Sequence, residues 1–141
     1  MSNNTPRYGI GDASYQAAGG QAGIRQLVDE FYDVMDSLPE AQVIRQMHPQ
    51  DLTESRQKLA FFLCGWLGGP RLFAEHYGPI HIPMAHARFP IAEAERDAWL
   101  LCMQHALAKQ SHYAADFNEY LMLQLAVPAE RIRQASQQVR Q

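Results

Sequence analysis

An all-α fold is predicted by three observations. No stretch alternates apolar and polar residues cleanly at period two, as a half-buried strand would. The apolar residues recur instead at spacings of three and four, the signature of helices with one buried face. At 141 residues and 16.0 kDa, with 47% hydrophobic and 19% charged residues, the chain matches one ordinary globular domain.

Residues 1–18, rich in Gly, Ser, Asn and Thr, read as a partly ordered arm, and 19–141 as the domain. After Gly19-Gly20, the set Ile24, Leu27, Val28, Phe31, Tyr32, Met35 and Leu38 marks a first long helix that ends before Pro39. A second begins at Asp51, where an aspartate cap with Glu54 three residues on resembles a capping box. Its stripe of Leu52, Ser55, Leu59, Phe62, Leu63 and Trp66 stops at Gly68-Gly69-Pro70. A third runs from about Ala92, with Glu93, Glu95 and Asp97 suited to its positive end and Ala98, Trp99, Cys102 and Ala106 on one face. A fourth runs from about Ala115 through Phe117, Tyr120, Leu121 and Leu125, and Pro128 is expected to kink it or to open a short final helix.

Four helices could make an up-and-down bundle, but bundle connections are short. From Arg71 to Pro90 run twenty residues broken by Pro79 and Pro83, with room for one or two helical turns. So long an irregular segment in a small domain usually carries function.

The formal net charge of −3, with no gathered Lys or Arg, argues against nucleic acid as a partner. The first twenty residues lack the apolar core of a signal peptide, and no run reaches the ~18–20 apolar residues of a membrane span. A cytoplasmic protein is expected, with no membrane partner. Cys64 and Cys102 read as two reduced core thiols, with a reactive pair as the alternative.

Of the six histidines, His76 and His112 sit among polar neighbours as solvated residues, and His105 falls on the third helix as a surface or half-buried one. His81 and His86 could be two zinc ligands. They are five positions apart around Pro83, share no helical face, and have no Cys or carboxylate at zinc-ligand spacing. His86 alone is a candidate ligand. Leu59, Phe62 and Leu63 on the second helix, with Trp99 and Phe89, would build an apolar slot beside it, and Tyr32 and His48 would add polar tips. Flat hydrophobic cofactors need such a slot, and haem needs one protein histidine.

The stretch His86-Ala87-Arg88-Phe89-Pro90-Ile91, followed by Glu95-Arg96-Asp97-Ala98-Trp99-Leu100 and Cys102-Met103, resembles the proximal-histidine segment and next helix of group II truncated haemoglobins. The resemblance extends to Phe31-Tyr32, to "DLTESRQKLAFFLCGWLGGPRLF" from Asp51, and to "SYQAAGG", spanning Ser14 to Ile132. It implies a truncated globin fold, a two-over-two helical sandwich around a haem b (iron protoporphyrin IX), with the four helices as B, E, G and H. It implies His86 as the iron ligand, Tyr32 and Trp99 as distal hydrogen-bonding residues, and Ser55 and Leu59 as the pair over the open iron site. Phe62 and Phe89, with Leu63, would line the haem, and Arg71 would meet a propionate.

Two departures stand against the family pattern. His48-Pro49 matches the aromatic or histidine position before a proline, but the connection from Tyr32 is longer than the family's. Either "SLPEAQVIRQM" forms a larger loop or the register differs. Ala85 also replaces a basic residue common just before the ligand.

The implied ligands are dioxygen, carbon monoxide, nitric oxide or peroxide. Donors aimed at a gas ligand that draws electron density are worth roughly 1.5–3 kcal/mol each, so two would slow escape by roughly two to four decades. Slow release suits a bulk carrier badly. Redox or detoxification chemistry with an unidentified reductase is therefore expected, with non-catalytic oxygen storage or gas sensing as the alternative. A globin fold without haem, or His48 or Tyr32 as an internal sixth ligand, stays open at this point, as does the choice of monomer or homodimer.

Overall fold

A computed structural model describes residues 8–79, 86 and 89–139. The helices are α1 (Ala13–Ala17), α2 (Gly20–Ser37), α3 (Gln42–Gln46), α4 (Thr53–Trp66), α5 (Leu72–Tyr77), α6 (Glu93–Ala108) and α7 (Ala115–Val139), with a 3-10 turn over Pro39–Ala41. No strand occurs among the described residues. Helix α2 packs on both α4 and α6, and α6 packs on α7, so two helix pairs share one core.

The expected stripe of α2 is that core's centre: Ile24, Leu27, Val28, Phe31 and Met35 are fully buried and Tyr32 is 5% exposed. From the other helices come Leu63, Met103, Leu107, Phe117 and Leu121. Each such side chain is worth ~1.5–3 kcal/mol of apolar burial. Both thiols, Cys64 and Cys102, are buried and unpaired. Burial, with the Glu40 carboxylate adding to it, pushes the Cys102 thiol up to about 11.

Helix α4 carries two faces. Ala60, Leu63, Cys64 and Leu67 are buried, whereas Ser55, Leu59 and Phe62, at i, i+4 and i+7, form a half-buried stripe beside them. The capping box expected at its start does not form. Asp51 accepts from the Thr53 N–H and hydroxyl just outside the helix, and Glu54 pairs with Lys58 one turn on. At the start of α6, the Ala92 N–H donates to Glu95 Oε1. Helix α7 continues through Pro128, so no separate final helix opens there.

Residues 8–18 dock on this body. Ser14 and Ala18 are buried, the Tyr15 N–H donates to Leu67 O, and Tyr8 packs edge-on against Phe117. The approach is close enough that a Cβ on Gly23 would stand 2.1 Å from Ala18 O, and one on Gly68 2.1 Å from Gly11 O. Gly68 also has φ +96°, a conformation that favours glycine.

The long connection from α2 to α4 is taken up by helix. Pro39 opens the 3-10 turn, α3 follows, and Arg45 closes the segment by donating to Pro49 O and Gln50 O while pairing with Asp36. His48 thereby lies at a fixed turn, its N–H bonded to Arg45 O.

Candidate functional site

Ring contacts join three of the expected residues. Tyr32 and His48 meet edge to face at 5.7 Å between centroids, and buried Phe31 touches Tyr32 at 5.0 Å and Trp99 at 4.9 Å. Adjacent positions on α2 thus bridge the turn carrying His48 to helix α6 carrying Trp99. His86, half-buried and helical, is within electrostatic reach of His48, whose pKa its charge helps to lower.

Polarity is what distinguishes this cluster from ordinary core. Tyr32 is 5% exposed, yet its hydroxyl makes no hydrogen bond to a described residue, and burial pushes its pKa up to about 12 despite the lowering charge of Arg56. The hydroxyl oxygen is not itself sealed off, since among the described residues only Asn118 Oδ1 is a fully enclosed side-chain polar atom without a partner, so the Tyr32 proton is available to a ligand that reaches it. The Trp99 indole N–H likewise has no partner among the described residues. Both groups are donors at any physiological pH.

His48 plays a different part. Its Nδ1 lies 2.8 Å from Ile44 O, and a carbonyl only accepts, so the proton is on Nδ1. Burial, then the charges of Arg45 and His86, hold the pKa below the usual histidine value although the Ile44 bond opposes them. The neutral ring therefore presents Nε2 as an acceptor.

Helix α4 is held against the same part of α2 by Arg56. Its guanidinium donates to the Asp29 carbonyl (3.0 Å) and carboxylate (3.1 Å) and to the Asp33 carboxylate (2.8 Å). It also lies 5.8 Å from the Tyr32 ring centroid. This residue, adjacent to Ser55, had no place in the sequence reading. It is one arginine in a polar run, and only its cross-helix partners mark it.

The remaining expected residues are placed as follows. Ser55, Leu59 and Phe62 share the half-buried stripe of α4, and Phe62 stacks on Trp66 at 5.9 Å. Leu63 is fully buried in the core. Arg71 is exposed at the start of α5 and makes no ion pair among the described residues. Phe89 is half-buried, and its N–H donates to His86 O at 3.0 Å. His81 and Ala85 lie outside the described residues, and with them the two-histidine zinc alternative and the missing basic neighbour. No group of three metal-ligating side chains occurs among the described residues.

The profile of the family described as "Bacterial-like globin" matches residues 13–130. The chain belongs to the bacterial-like globins, as a group II truncated haemoglobin.

This globin is 40% identical over 96 residues to the group 2 truncated haemoglobin YjbI of Bacillus subtilis (strain 168), covering 68% of this chain and 70% of that one. Among solved structures it is similar to the group II 2-on-2 haemoglobin of the plant pathogen Agrobacterium tumefaciens. That match has 36% identity and a TM-score of 0.81 over 94% of this chain and 98% of that one. It is also similar to the truncated oxygen-avid haemoglobin of Bacillus subtilis, at 34% identity and a TM-score of 0.76 over 84% and 97% of the two chains. The two helix pairs are thus those of the two-over-two sandwich. As a globin, the protein binds haem and, through it, diatomic gases such as oxygen. No helix among the described residues is long and apolar enough to cross a membrane.

Proposed function

We propose that this globin binds haem b with His86 as the proximal iron ligand and carries out redox or detoxification chemistry on oxygen, peroxide or nitrogen species. The observation that carries this reading is the set of hydrogen-bonding groups around Tyr32. Two donors without a partner among the described residues, Tyr32 O–H and Trp99 N–H, stand with one acceptor, Nε2 of His48. Donors left without a protein partner beside the apolar stripe of α4 fit a polar ligand on a flat hydrophobic group such as haem.

Haem supplies, when bound, an iron with an open coordination position and a redox couple. The chain supplies the rest. A neutral His86 ligates through one ring nitrogen and orients itself by the proton on the other. Tyr32 and Trp99 would donate to a diatomic or peroxide ligand held there, and Leu59 and Phe62 would keep water from it. His48 takes a proton at Nε2 and returns it, which suits a substrate such as hydrogen peroxide that must shift a proton between its two oxygens. On this reading Arg71 would meet a propionate, Ser55 and Leu59 would stand on the ligand side of the haem, and Phe89 and Leu63 would line it. The protein works in the cytoplasm with a separate reductase, as a monomer or homodimer.

A second reading has an observation in its favour. One similar haemoglobin is described as oxygen-avid, and tight binding by the same donors would serve non-catalytic storage or sensing. The two readings separate in one experiment. The ferric protein is given hydrogen peroxide and a reducing dye, beside free haemin, in wild type and Trp99→Phe. Turnover above haemin that falls in the variant supports the enzyme. Turnover no greater than haemin's, with faster oxygen release in Trp99→Phe, leaves the binder.

A further inference from the structure

Ser136 is fully buried near the end of α7, among charged and amide residues. A serine inside a helix commonly bonds back to its own preceding turn. Here the hydroxyl reaches the segment that follows His86. It donates to Phe89 O and accepts from the Ile91 N–H at 2.9 Å. The next residue, Gln137, donates its side-chain N–H to Ile91 O at 3.1 Å. One buried hydroxyl thus holds both sides of Pro90, which has no N–H of its own with which to fix the turn. From Phe89 the chain of bonds runs on to His86, whose carbonyl accepts the Phe89 N–H at 3.0 Å.

We propose that Ser136 is a positioning residue for His86, fixing the height and tilt of the imidazole by anchoring residues 89–91 to α7. The proposal rests on the reading of His86 as the iron ligand. Helix α6 begins only at Glu93, so the ligand's segment takes its position from outside. The long last helix is the frame to which it is tied. With haem held by His86, loss of the anchor would loosen that residue's placement and change the strength of its bond to iron, while the groups of the distal side would stay as they are.

The test uses the haem-loaded protein as wild type, Ser136→Ala and Ser136→Thr, the last retaining the hydroxyl. Amide hydrogen exchange at Ile91 is expected to accelerate about tenfold in Ser136→Ala, equivalent to ~1.4 kcal/mol, and to return toward wild type in Ser136→Thr. The iron–histidine stretching band of the ferrous protein is expected to shift or broaden in Ser136→Ala and to recover in Ser136→Thr. The same substitution is then made in His86→Gly supplied with free imidazole. There the band is expected to ignore Ser136, because the ligand no longer hangs on the chain. Faster exchange with an unmoved band in the tethered protein makes Ser136 merely structural and overturns the proposal. A band that also moves in the untethered protein overturns it, by showing a general effect on the pocket. Persistence of the wild-type band in His86→Gly without imidazole overturns the ligand reading and the proposal together.

Discussion

Replacing Tyr32 with Phe should leave the haem-free protein almost unchanged in stability and speed ligand release from the loaded one. Tyr32 is only 5% exposed and its hydroxyl bonds to no described group, yet among the described residues the fully enclosed side-chain polar atom without a partner is Asn118 Oδ1, so the Tyr32 hydroxyl keeps contact with water. A polar group wholly buried without a partner costs ~1–3 kcal/mol, and one that keeps water contact costs well below that. Its removal should change the stability of the haem-free protein by less than about 0.5 kcal/mol, or about 1–2 °C in midpoint for a chain of this size. With haem and oxygen bound, the same change removes a donor worth ~1.5–3 kcal/mol and should speed oxygen release roughly 10- to 150-fold. Urea unfolding of the haem-free pair and stopped-flow release from the loaded pair measure the two effects. A haem-free Tyr32→Phe less stable than wild type by ~1 kcal/mol or more, with unchanged oxygen release, would mean that the hydroxyl serves a protein partner and not a bound ligand.

Three further outcomes are expected. Arg56→Met removes the cross-helix bonds to Asp29 and Asp33. Because those carboxylates are 41% and 61% exposed, solvent screening limits the loss to about 2 kcal/mol by urea unfolding, with faster ligand release as α4 loosens from α2. Tyr32 and Tyr113 both have pKa values raised by burial to about 12. Their contribution is whole below pH 10 and falls as pH rises from 10 toward 12, where the unfolded chain ionises first. A pH series of denaturation midpoints should show this fall, and it should be shallower in Tyr113→Phe. His48 has its pKa lowered, chiefly by burial. Its contribution is present above the unfolded value near 6.5 and is lost as pH falls through the lowered one. Haem-free His48→Phe should therefore lose less stability than wild type between pH 7.5 and 5.

The long helices were legible because each carries a stripe long enough to repeat. Those on α2, α4, α6 and α7 each continue over several turns. The short ones were not. Helix α1 has five residues with Ser14 alone buried, and α3 has five with Ile44 alone buried and Val43 54% exposed. A single buried residue has no period. Pro39 was legible as a stop for α2, while its second role, opening the 3-10 turn, depends on what the next residues pack against. Asp51 was a sound signal of a helix start, but which backbone groups an aspartate caps is settled by the local turn.

At the proposed site, His86, Tyr32 and Trp99 were singled out by a family pattern, and the resemblance carried the cofactor with them. Composition and periodicity alone left His86 as a candidate ligand. Arg56 and Ser136 were invisible because their partners are remote, 27 residues away for Arg56 to Asp29 and 45 for Ser136 to Ile91. One sign of Ser136 was available. It continues the buried positions Leu125 and Ala129 along α7, and a polar residue on an apolar face requires a partner. The tautomer of His48 was beyond sequence altogether, since it follows from a bond to the carbonyl of Ile44.

Whether His86 ligates a haem whose other side is served by Tyr32, Trp99 and His48 is decided by absorption spectra of the reconstituted protein, ferric, ferrous and with carbon monoxide, in wild type and His86→Gly. Wild type is expected to hold one haem per chain and to show a sharp Soret band that responds to reduction and to carbon monoxide. In His86→Gly that band should be lost or grossly altered, and free imidazole should restore it. A wild-type spectrum reproduced by His86→Gly without imidazole would mean that His86 is not the iron ligand.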